Sequence, residues 1–383
     1  MTYEPAMVYS ISDPSHTVSE LSDIWNKRLP SERDQTADTA FSVSLGDYFN
    51  AASVFLTSDD CAVIKTGARH ALSAEIKARD IETINICLVK HGRFYHPSRI
   101  SVDLKNKKMF SMALNVAFST EGRQCVEREC KALEALNLRV EHLPKVYGRH
   151  DVSVQNGPLL TLFCTQWFPD FHEFHLSHDK GLQKIIVWDT ENGNYFLTDD
   201  EAYTVYRQAS CIMTRCYNPL TCEQIQPWHH AAGDFIVNKK DGEIGVSLIT
   251  ARQYTSLFTN TIDDADTLIE ATVIFLINLS LRMRLDREDG VGSTLWAGDH
   301  AVTATVHGFF DGLKLNDFTN PFCSSLKTSL EHALPQLNEQ DIRDYCQLLV
   351  HSYNPDSPEV TTIEKHLEDH VRVLYQTFKT FCS

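Results

Sequence analysis

The sequence predicts an α+β protein in which a small, mostly antiparallel β-sheet precedes a larger helical region. Two observations lead to this class. Between Ile84 and Thr165, short β-branched and apolar runs alternate with turns and enclose one amphipathic segment. Further along, Asp263 to Leu285 is long and apolar enough to form the buried centre of a helical domain. With 383 residues, the chain has room for two such domains.

The composition is that of an ordinary globular protein, with 43% hydrophobic and 22% charged residues. No apolar run is long enough for a transmembrane helix, and the first residues do not resemble a secretory signal. The net charge of −16 argues against a nucleic-acid-binding surface. The 11 cysteines are scattered, without a Cys-x-x-Cys pair, which favours free thiols in a reducing cytoplasm over disulfides or a zinc site.

Residues 1–80 carry the weakest pattern, and we expect an N-terminal extension of mixed structure there. Val18 to Leu29 could form a short helix, and Val43 to Leu56 shows some strand-like alternation. The pattern then sharpens into three strands, one helix and two further strands. These segments are Ile84–Val89, Arg99–Leu104, Met109–Phe118, the helix Arg123–Leu136, and the strands Leu143–Gly148 and Leu159–Thr165.

The second half begins with a connector rich in aromatic residues and histidine, from Trp167 to Asp179. A hairpin with an Asn-Gly turn, a helix, two strands, the long apolar helix and a mostly helical remainder follow. The segments are Ile185–Trp188, Tyr195–Leu197, the helix Asp199–Tyr217, the strands Phe235–Val237 and Glu243–Ile249, and the helices Asp263–Leu285 and Thr361–Phe381.

A polar loop between a predicted helix and a predicted strand is the main candidate for chemistry. It contains His229 and His230, followed by Gly233 and Asp234. An imidazole can act as a base near neutral pH or bind a metal, and the alternative is that one histidine packs against Trp228. Asp234 is either a metal ligand or a carboxylate that stabilises a turn.

Two other groups of residues are weaker candidates. Cationic side chains cluster in the turn after the first strand of the sheet, where they could bind phosphates or form a solvated basic turn. They are Lys90, His91, Arg93, His96 and Arg99. In the connector, His172, His175 and His178 recur every three residues, which on a helix could hold a metal or form an ordinary linker face.

The order of elements from about Ile81 to Leu313 resembles the aminoglycoside phosphotransferase and choline kinase branch of the protein-kinase-like superfamily. This resemblance implies a kinase-like N-lobe at 81–166 and a mostly helical C-lobe at 167–383. It also implies that Phe163 to Phe168 links the lobes against the adenine, and that Trp228 to Val237 is the catalytic loop. Glu129 would be the helix glutamate that pairs with the nucleotide-binding lysine.

Several polar positions of that family carry different residues in this chain. Asn115 occupies the lysine position, His229 the catalytic aspartate, Asp234 the metal-binding asparagine and Thr250 the second metal-binding aspartate. A second alignment makes Gly233-Asp234 the catalytic dipeptide and Asn238 the metal ligand. Without the lysine, Arg252 is a candidate partner for Glu129.

The resemblance implies a divergent phosphotransferase that binds ATP or GTP with Mg²⁺ and phosphorylates a small molecule. Asp234 would hold the metal, and His229 or His230 would act on the acceptor. The cofactor would be bound by Lys90, Arg93, Asn115, Glu129 and Arg252. One alternative is an inactive pseudokinase that serves as a scaffold for a protein partner. Another is transfer of a nucleotidyl or other group on the same fold.

Overall fold

The computed structural model describes residues 5–30, 43–154, 157–226, 228, 233–256, 264–316 and 321–381. The chain is a mixed α/β protein with two compact units. Unit 1 comprises residues 1–137 and 144–169, and unit 2 comprises residues 138–143 and 170–383. Each unit has a β-sheet and helices of its own, as the following paragraphs describe.

Unit 1 contains a seven-stranded sheet with the order β2-β1-β3-β4-β5-β7-β6, in which only the β1–β3 pair is parallel. The predicted series of three strands, one helix and two strands is confirmed as β3 to β7. The elements are β1 (Ala6–Ile11), β2 (Asp13–Val18), α1 (Leu45–Leu72), β3 (Ile81–Leu88), β4 (His96–Leu104), β5 (Met109–Ala117), α2 (Thr120–Leu136), β6 (Val146–Ser153) and β7 (Leu159–Gln166).

Helix α1 covers one face of this sheet. Tyr48 and Phe49 of the helix belong to the same buried apolar cluster as Met112, Leu114 and Val116 of β5. Because side chains alternate across a strand, the intervening residues of β5 lie on the opposite face. The buried residues of α2 belong to a separate group, and α2 packs against β5, β6 and β7.

The weak N-terminal pattern was misread in two places. The segment with strand-like alternation forms helix α1, which begins at a capping box between Ser44 and Asp47. The helix expected from Val18 to Leu29 is replaced by the end of β2 and a 3₁₀ turn at Asp23–Asn26. In both places the local pattern is a poor guide to secondary structure, because the apolar residues of these segments are buried in the same cluster as the sheet.

Unit 2 contains a five-stranded sheet with the order β10-β9-β8-β12-β13, two small two-stranded sheets and a set of helices. Its strands are β8 (His172–Asp179), β9 (Leu182–Val187), β10 (Tyr195–Phe196), β11 (Glu223–Ile225), β12 (Phe235–Lys240), β13 (Glu243–Leu248), β14 (Tyr254–Ser256), β15 (Leu285–Arg287) and β16 (Thr294–Trp296). Its helices are α3 (Asp199–Cys216), α4 (Ala265–Met283), α5 (His300–Leu315), α6 (Pro321–Ser324), α7 (Leu326–Ala333), α8 (Glu339–Ser352) and α9 (Pro358–Phe381).

Helices α3 and α5 approach closely because α5 has glycines where the two backbones meet. A Cβ atom on Gly308 would lie 2.0 Å from the carbonyl oxygen of Arg207, and one on Gly312 would lie 2.7 Å from Cβ of Thr214.

On α3, the Gln208 amide donates to the carbonyl of Ile244 (2.7 Å) and accepts from the N–H of Val246 (3.0 Å). The Gln208 side chain thus pairs with β13, an edge strand of the sheet, as a neighbouring strand would.

No helix within the described residues is long and apolar enough to cross a membrane. The cysteines that the structure describes are free thiols, and all of them except Cys211 are buried.

Candidate functional site

Asp234 is buried and immediately precedes strand β12, where the polar loop meets the sheet. Its side chain is fully buried, and its main-chain carbonyl accepts the N–H of Ile249 (2.8 Å), just beyond β13. Nη1 of Arg252 lies 2.7 Å from Oδ1 of Asp234, and the Arg252 side chain is 23% exposed. A buried carboxylate is therefore neutralised by the guanidinium of a partly exposed arginine side chain.

The glycine before Asp234 is required by the local geometry. Gly233 has φ of +64°, and a Cβ atom there would lie 2.7 Å from the carboxyl group of Glu173. Glu173 belongs to β8, where it is paired with Ile236 of β12. Glycine thus allows the loop to enter the sheet beneath this acid.

The start of the polar loop is anchored at Trp228. This side chain is 2% exposed, and its ring lies edge-on to Phe235 with centroids 5.7 Å apart. Nη2 of Arg282 donates to the carbonyl of Trp228 (3.0 Å), and its guanidinium lies 5.9 Å from the Trp228 ring centroid. His229 and His230, the predicted catalytic pair, lie outside the described residues.

Among the described residues, Oδ1 of Asp234 faces the guanidinium of Arg252 and not a set of oxygen ligands for Mg²⁺. Mg²⁺ requires oxygen ligands in near-octahedral geometry. Within the described ranges, no group of three or more histidine, cysteine, aspartate or glutamate side chains could hold a metal ion. Oδ1 of Asp234 is already engaged by Arg252. A divalent cation at Asp234 would have to compete with a guanidinium.

In unit 1, the two predicted cofactor residues Asn115 and Glu129 lie on the sheet face that α1 does not cover. Asn115 is the cross-strand neighbour of Phe163, so the two side chains share this face. The Phe163 ring lies 5.9 Å from the ring of Tyr95, whose hydroxyl donates to Oε2 of Glu129 (3.0 Å). Glu129 itself is 1% exposed. A tyrosine thus satisfies the glutamate predicted to pair with a lysine.

The basic side chains between β3 and β4 differ in exposure, because some face solvent and others are buried. Lys90 and Arg93 are exposed, and the Arg93 guanidinium lies over the ring of Phe94. His96 is buried, stacks on Phe118 with ring centroids 5.2 Å apart, and lies 3.0 Å from His91 between their Nδ1 atoms. Burial lowers the pKa of His96 to about 4, so this imidazole is neutral at physiological pH.

Arg99, the last member of that basic group, lies on the same face of the sheet as Asn115. It pairs with Ala113 on β5, two residues from Asn115. Its Nε lies 3.3 Å from Oγ of Ser111, and its guanidinium lies 5.1 Å from the ring centroid of Trp167. A hydroxyl and an aromatic ring therefore fix the position of this cation.

The histidine series in the connector does not form a metal site on a helix, because the segment is strand β8. Successive side chains on a strand alternate between faces, so His175 points away from the face shared by His172 and His178. Each histidine has a different carboxylate partner. His172 is 3.6 Å from Asp189, His175 is 3.2 Å from Asp286, and His178 is 3.0 Å from Glu288. The segment is therefore not a helix, and the interpretation of these histidines as a metal-binding helix face is wrong.

A second buried polar group in unit 2 joins Arg284 to residues other than its acidic neighbours in the sequence. Arg284 is 4% exposed, donates from Nε to the carbonyl of Ala297 (2.7 Å), and pairs with Asp299 (2.9 Å). Its guanidinium lies 4.9 Å from the Trp296 ring centroid, and the His370 ring meets Trp296 edge-on at 5.7 Å. We call Arg284, Trp296, Asp299 and His370 the arginine–tryptophan cluster.

His370 is fully buried, and burial lowers its pKa to about 3, with a further contribution from the nearby charge of Arg284. Its imidazole is therefore neutral under physiological conditions. Sequence periodicity places His370 on the buried face of a helix, but it does not reveal that the residue meets Arg284 and Trp296 there.

A surface groove of about 490 Å³ lies along α3 and α5, away from the predicted site residues. An ion pair between Arg207 and Asp311 (2.6 Å) lines it, together with Tyr203, Cys211 and Lys314. None of the residues predicted to bind cofactor or catalyse a reaction lines this groove.

No protein-family model matches the chain, and a comparison with curated proteins finds no match either.

Proposed function

We propose that this protein is a kinase-like binding module that recognises a phosphate-bearing ligand through arginine side chains instead of a divalent metal, and that it does not transfer a phosphoryl group. The observation that carries the proposal is the ion pair between Asp234 and Arg252. A fully buried carboxylate with a guanidinium at 2.7 Å has its charge balanced within the protein.

Phosphoryl transfer needs a metal held by carboxylates, positive charge on the phosphates and a group that positions the acceptor. The kinase resemblance places these groups at three positions that differ in this chain. Asp234 is paired with Arg252, Asn115 stands at the lysine position, and Thr250 stands at the second metal-binding aspartate. Phosphate recognition alone requires only charge and N–H donors, which arginine supplies. The residues at these positions therefore support phosphate binding better than phosphoryl transfer.

In the proposed site, Asp234 is buried and the Arg252 side chain is partly exposed. Asp234 pairs with the guanidinium from the buried side, and 23% of the Arg252 side chain is exposed to solvent. Guanidinium groups are weakly hydrated compared with ammonium groups, so a fixed arginine gives up little hydration when it binds an oxyanion. A cation held in this way substitutes for the charge of a metal ion.

The test compares a variant that keeps the cation of the pair with a variant that removes both charges. Asp234→Asn retains the Arg252 cation, whereas the double variant Asp234→Asn with Arg252→Gln replaces both charges by neutral amides. Both are titrated calorimetrically with ATP and with inorganic tripolyphosphate in EDTA. We expect the single variant to bind and the double variant to lose at least about tenfold in affinity, as for loss of one hydrogen bond to a charged group.

Arg207→Gln serves as the control, because Arg207 also forms an ion pair in unit 2 but lies in the groove along α3 and α5. It should bind as the wild type does. Loss of all binding in Asp234→Asn, together with a requirement for Mg²⁺ in the wild type, would instead support the metal-dependent phosphotransferase. Equal affinity of the single and double variants would contradict a role for Arg252.

A further inference from the structure

We propose that the arginine–tryptophan cluster binds a small monovalent anion of the halide class, with chloride as the physiological ion. The anion accepts hydrogen bonds from Nη1 of Arg284, from Nε1 of Trp296 and from a ring nitrogen of His370. These residues all belong to unit 2. The site shares no residue with the pair of Asp234 and Arg252, so it does not depend on the proposed function.

The cluster contains buried polar atoms that have no hydrogen-bond partner among the described residues. They are Nη1 of Arg284, Nε1 of Trp296 and both ring nitrogens of His370. Arg284 is 4% exposed and His370 is fully buried. Buried polar groups in folded proteins are nearly always hydrogen-bonded, so several unpaired nitrogens in one cluster indicate a bound partner.

The unpaired nitrogens belong to side chains that meet at the Trp296 ring. The Arg284 guanidinium lies 4.9 Å from the ring centroid, and the His370 ring meets it edge-on at 5.7 Å. His366, one turn before His370 on α9, stacks on the same ring at 5.6 Å. Trp296 and His366 are only partly buried, which gives a small ion access from solvent.

Arg284 brings a positive charge whose nearby carboxylates are mostly hydrated. Its Nε and Nη2 donate to the carbonyl of Ala297 and to Asp299, but the Asp299 side chain is 64% exposed. Asp369 also interacts with Arg284, but it is 68% exposed and pairs with Arg372. A buried charge is costly unless it is balanced nearby. An anion in contact with Nη1 supplies that balance from inside the cluster.

The unpaired atoms are mostly donors, which favours an anion over a water molecule. Nη1 of Arg284 and Nε1 of Trp296 can only donate, and the neutral imidazole of His370 has one donor and one acceptor. A halide accepts from all of these donors at once, whereas a water molecule also needs acceptors for its own hydrogens. The deep burial of Arg284 and His370 favours a small ion over a larger oxyanion.

The experiment is thermal denaturation of the full-length protein in sodium chloride and in sodium gluconate at equal ionic strength. Trp296→Phe keeps an aromatic ring and removes the indole N–H. Trp188→Phe is the matched control, since it makes the same change at a partly buried tryptophan of unit 2 that contacts His175. We expect chloride to raise the melting temperature of the wild type and of Trp188→Phe. The chloride concentration at half-saturation should be at least about tenfold higher for Trp296→Phe.

A second measurement needs only the wild-type protein, so it holds even if Trp296→Phe folds poorly. Crystals grown in sodium bromide should show an anomalous-scattering peak in contact with Nη1 of Arg284 and Nε1 of Trp296. A water molecule at that place would overturn the proposal. The same conclusion would follow from equal chloride dependence in the wild type and Trp296→Phe. Stabilisation by sulfate but not by chloride, lost in Trp296→Phe, would contradict the assignment to a halide.

Discussion

Unit 2 contains two buried arginine–carboxylate pairs with opposite arrangements. In the pair at the polar loop, the carboxylate of Asp234 is fully buried and Arg252 is 23% exposed. In the arginine–tryptophan cluster, Arg284 is 4% exposed and its partner Asp299 is 64% exposed. The first pair presents a cation to solvent and the second presents a carboxylate. The two pairs therefore differ in which of the two charges is buried.

The largest effect should follow from removing the arginine whose partner is buried. Arg252→Met leaves Asp234 without its counter-charge inside the protein, and we expect a loss of about 3–5 kcal/mol in the free energy of unfolding. Arg284→Met leaves Asp299 in solvent and mainly removes the hydrogen bond to Ala297, so about 1–2 kcal/mol is expected. Urea denaturation of both variants at pH 7 measures the difference.

The pH dependence of Arg252→Met gives an internal control. Without Arg252, the charged carboxylate of Asp234 is buried without a counter-charge at neutral pH, and this penalty shrinks as acid protonates the carboxyl group. The stability deficit relative to the wild type should therefore be smaller at pH 4.5 than at pH 7. Similar losses for Arg252→Met and Arg284→Met at pH 7 would show that the two pairs are equivalent.

An intermediate effect concerns the buried imidazole of the arginine–tryptophan cluster. The pKa of His370 falls from 6.5 to about 3 on folding, so its contribution to stability is fully present above pH 6.5 and is lost as pH falls towards 3. At pH 4.5 the resulting decrease in the free energy of unfolding, relative to its value above pH 6.5, is roughly 3 kcal/mol.

Replacement of His370 by phenylalanine tests this contribution, because it keeps a planar ring without a titratable group. The unfolding free energy of the variant, measured by urea denaturation at several pH values, should fall less steeply between pH 6.5 and 4.5 than that of the wild type. Parallel curves would mean that His370 does not contribute to acid sensitivity.

The smallest effect is expected at the exposed carboxylate. Asp299→Asn removes the charge that faces the buried Arg284, but the asparagine amide oxygen can still accept from Nη2 of Arg284, and position 299 is 64% exposed, so we expect a loss of about 1 kcal/mol. Thermal denaturation should therefore show only a minor shift for this variant. A loss as large as that of Arg252→Met would mean that Arg284 depends on Asp299 as strongly as Asp234 depends on Arg252.

The sequence predicts regular elements better than it predicts contacts between distant residues. Strands β3 to β5, helix α3 and the apolar helix α4 follow from local periodicity. Strand β8 was missed because aromatic and histidine residues hide its alternation, and its pairing with β12 brings together segments about 60 residues apart. The N-terminal helix α1 was missed because its buried face has meaning only against the sheet that it covers.

For the candidate site as well, the sequence predicts individual residues better than the contacts between them. Gly233 and Asp234 were identified from their place between a helix and a strand, and the structure places both at the entry to β12. The partners were not identifiable from the sequence: Arg252 for Asp234, Tyr95 for Glu129, and Trp167 for Arg99. Each pair joins residues that are distant in the chain, so local patterns carry no information about it.

We propose that an arginine, and not a metal ion, supplies the positive charge that binds the ligand. A calorimetric titration of the wild-type protein with ATP and with inorganic tripolyphosphate, first in EDTA and then with Mg²⁺ added, tests this directly. We expect binding in EDTA that Mg²⁺ does not strengthen. Binding that appears only after Mg²⁺ is added would contradict it.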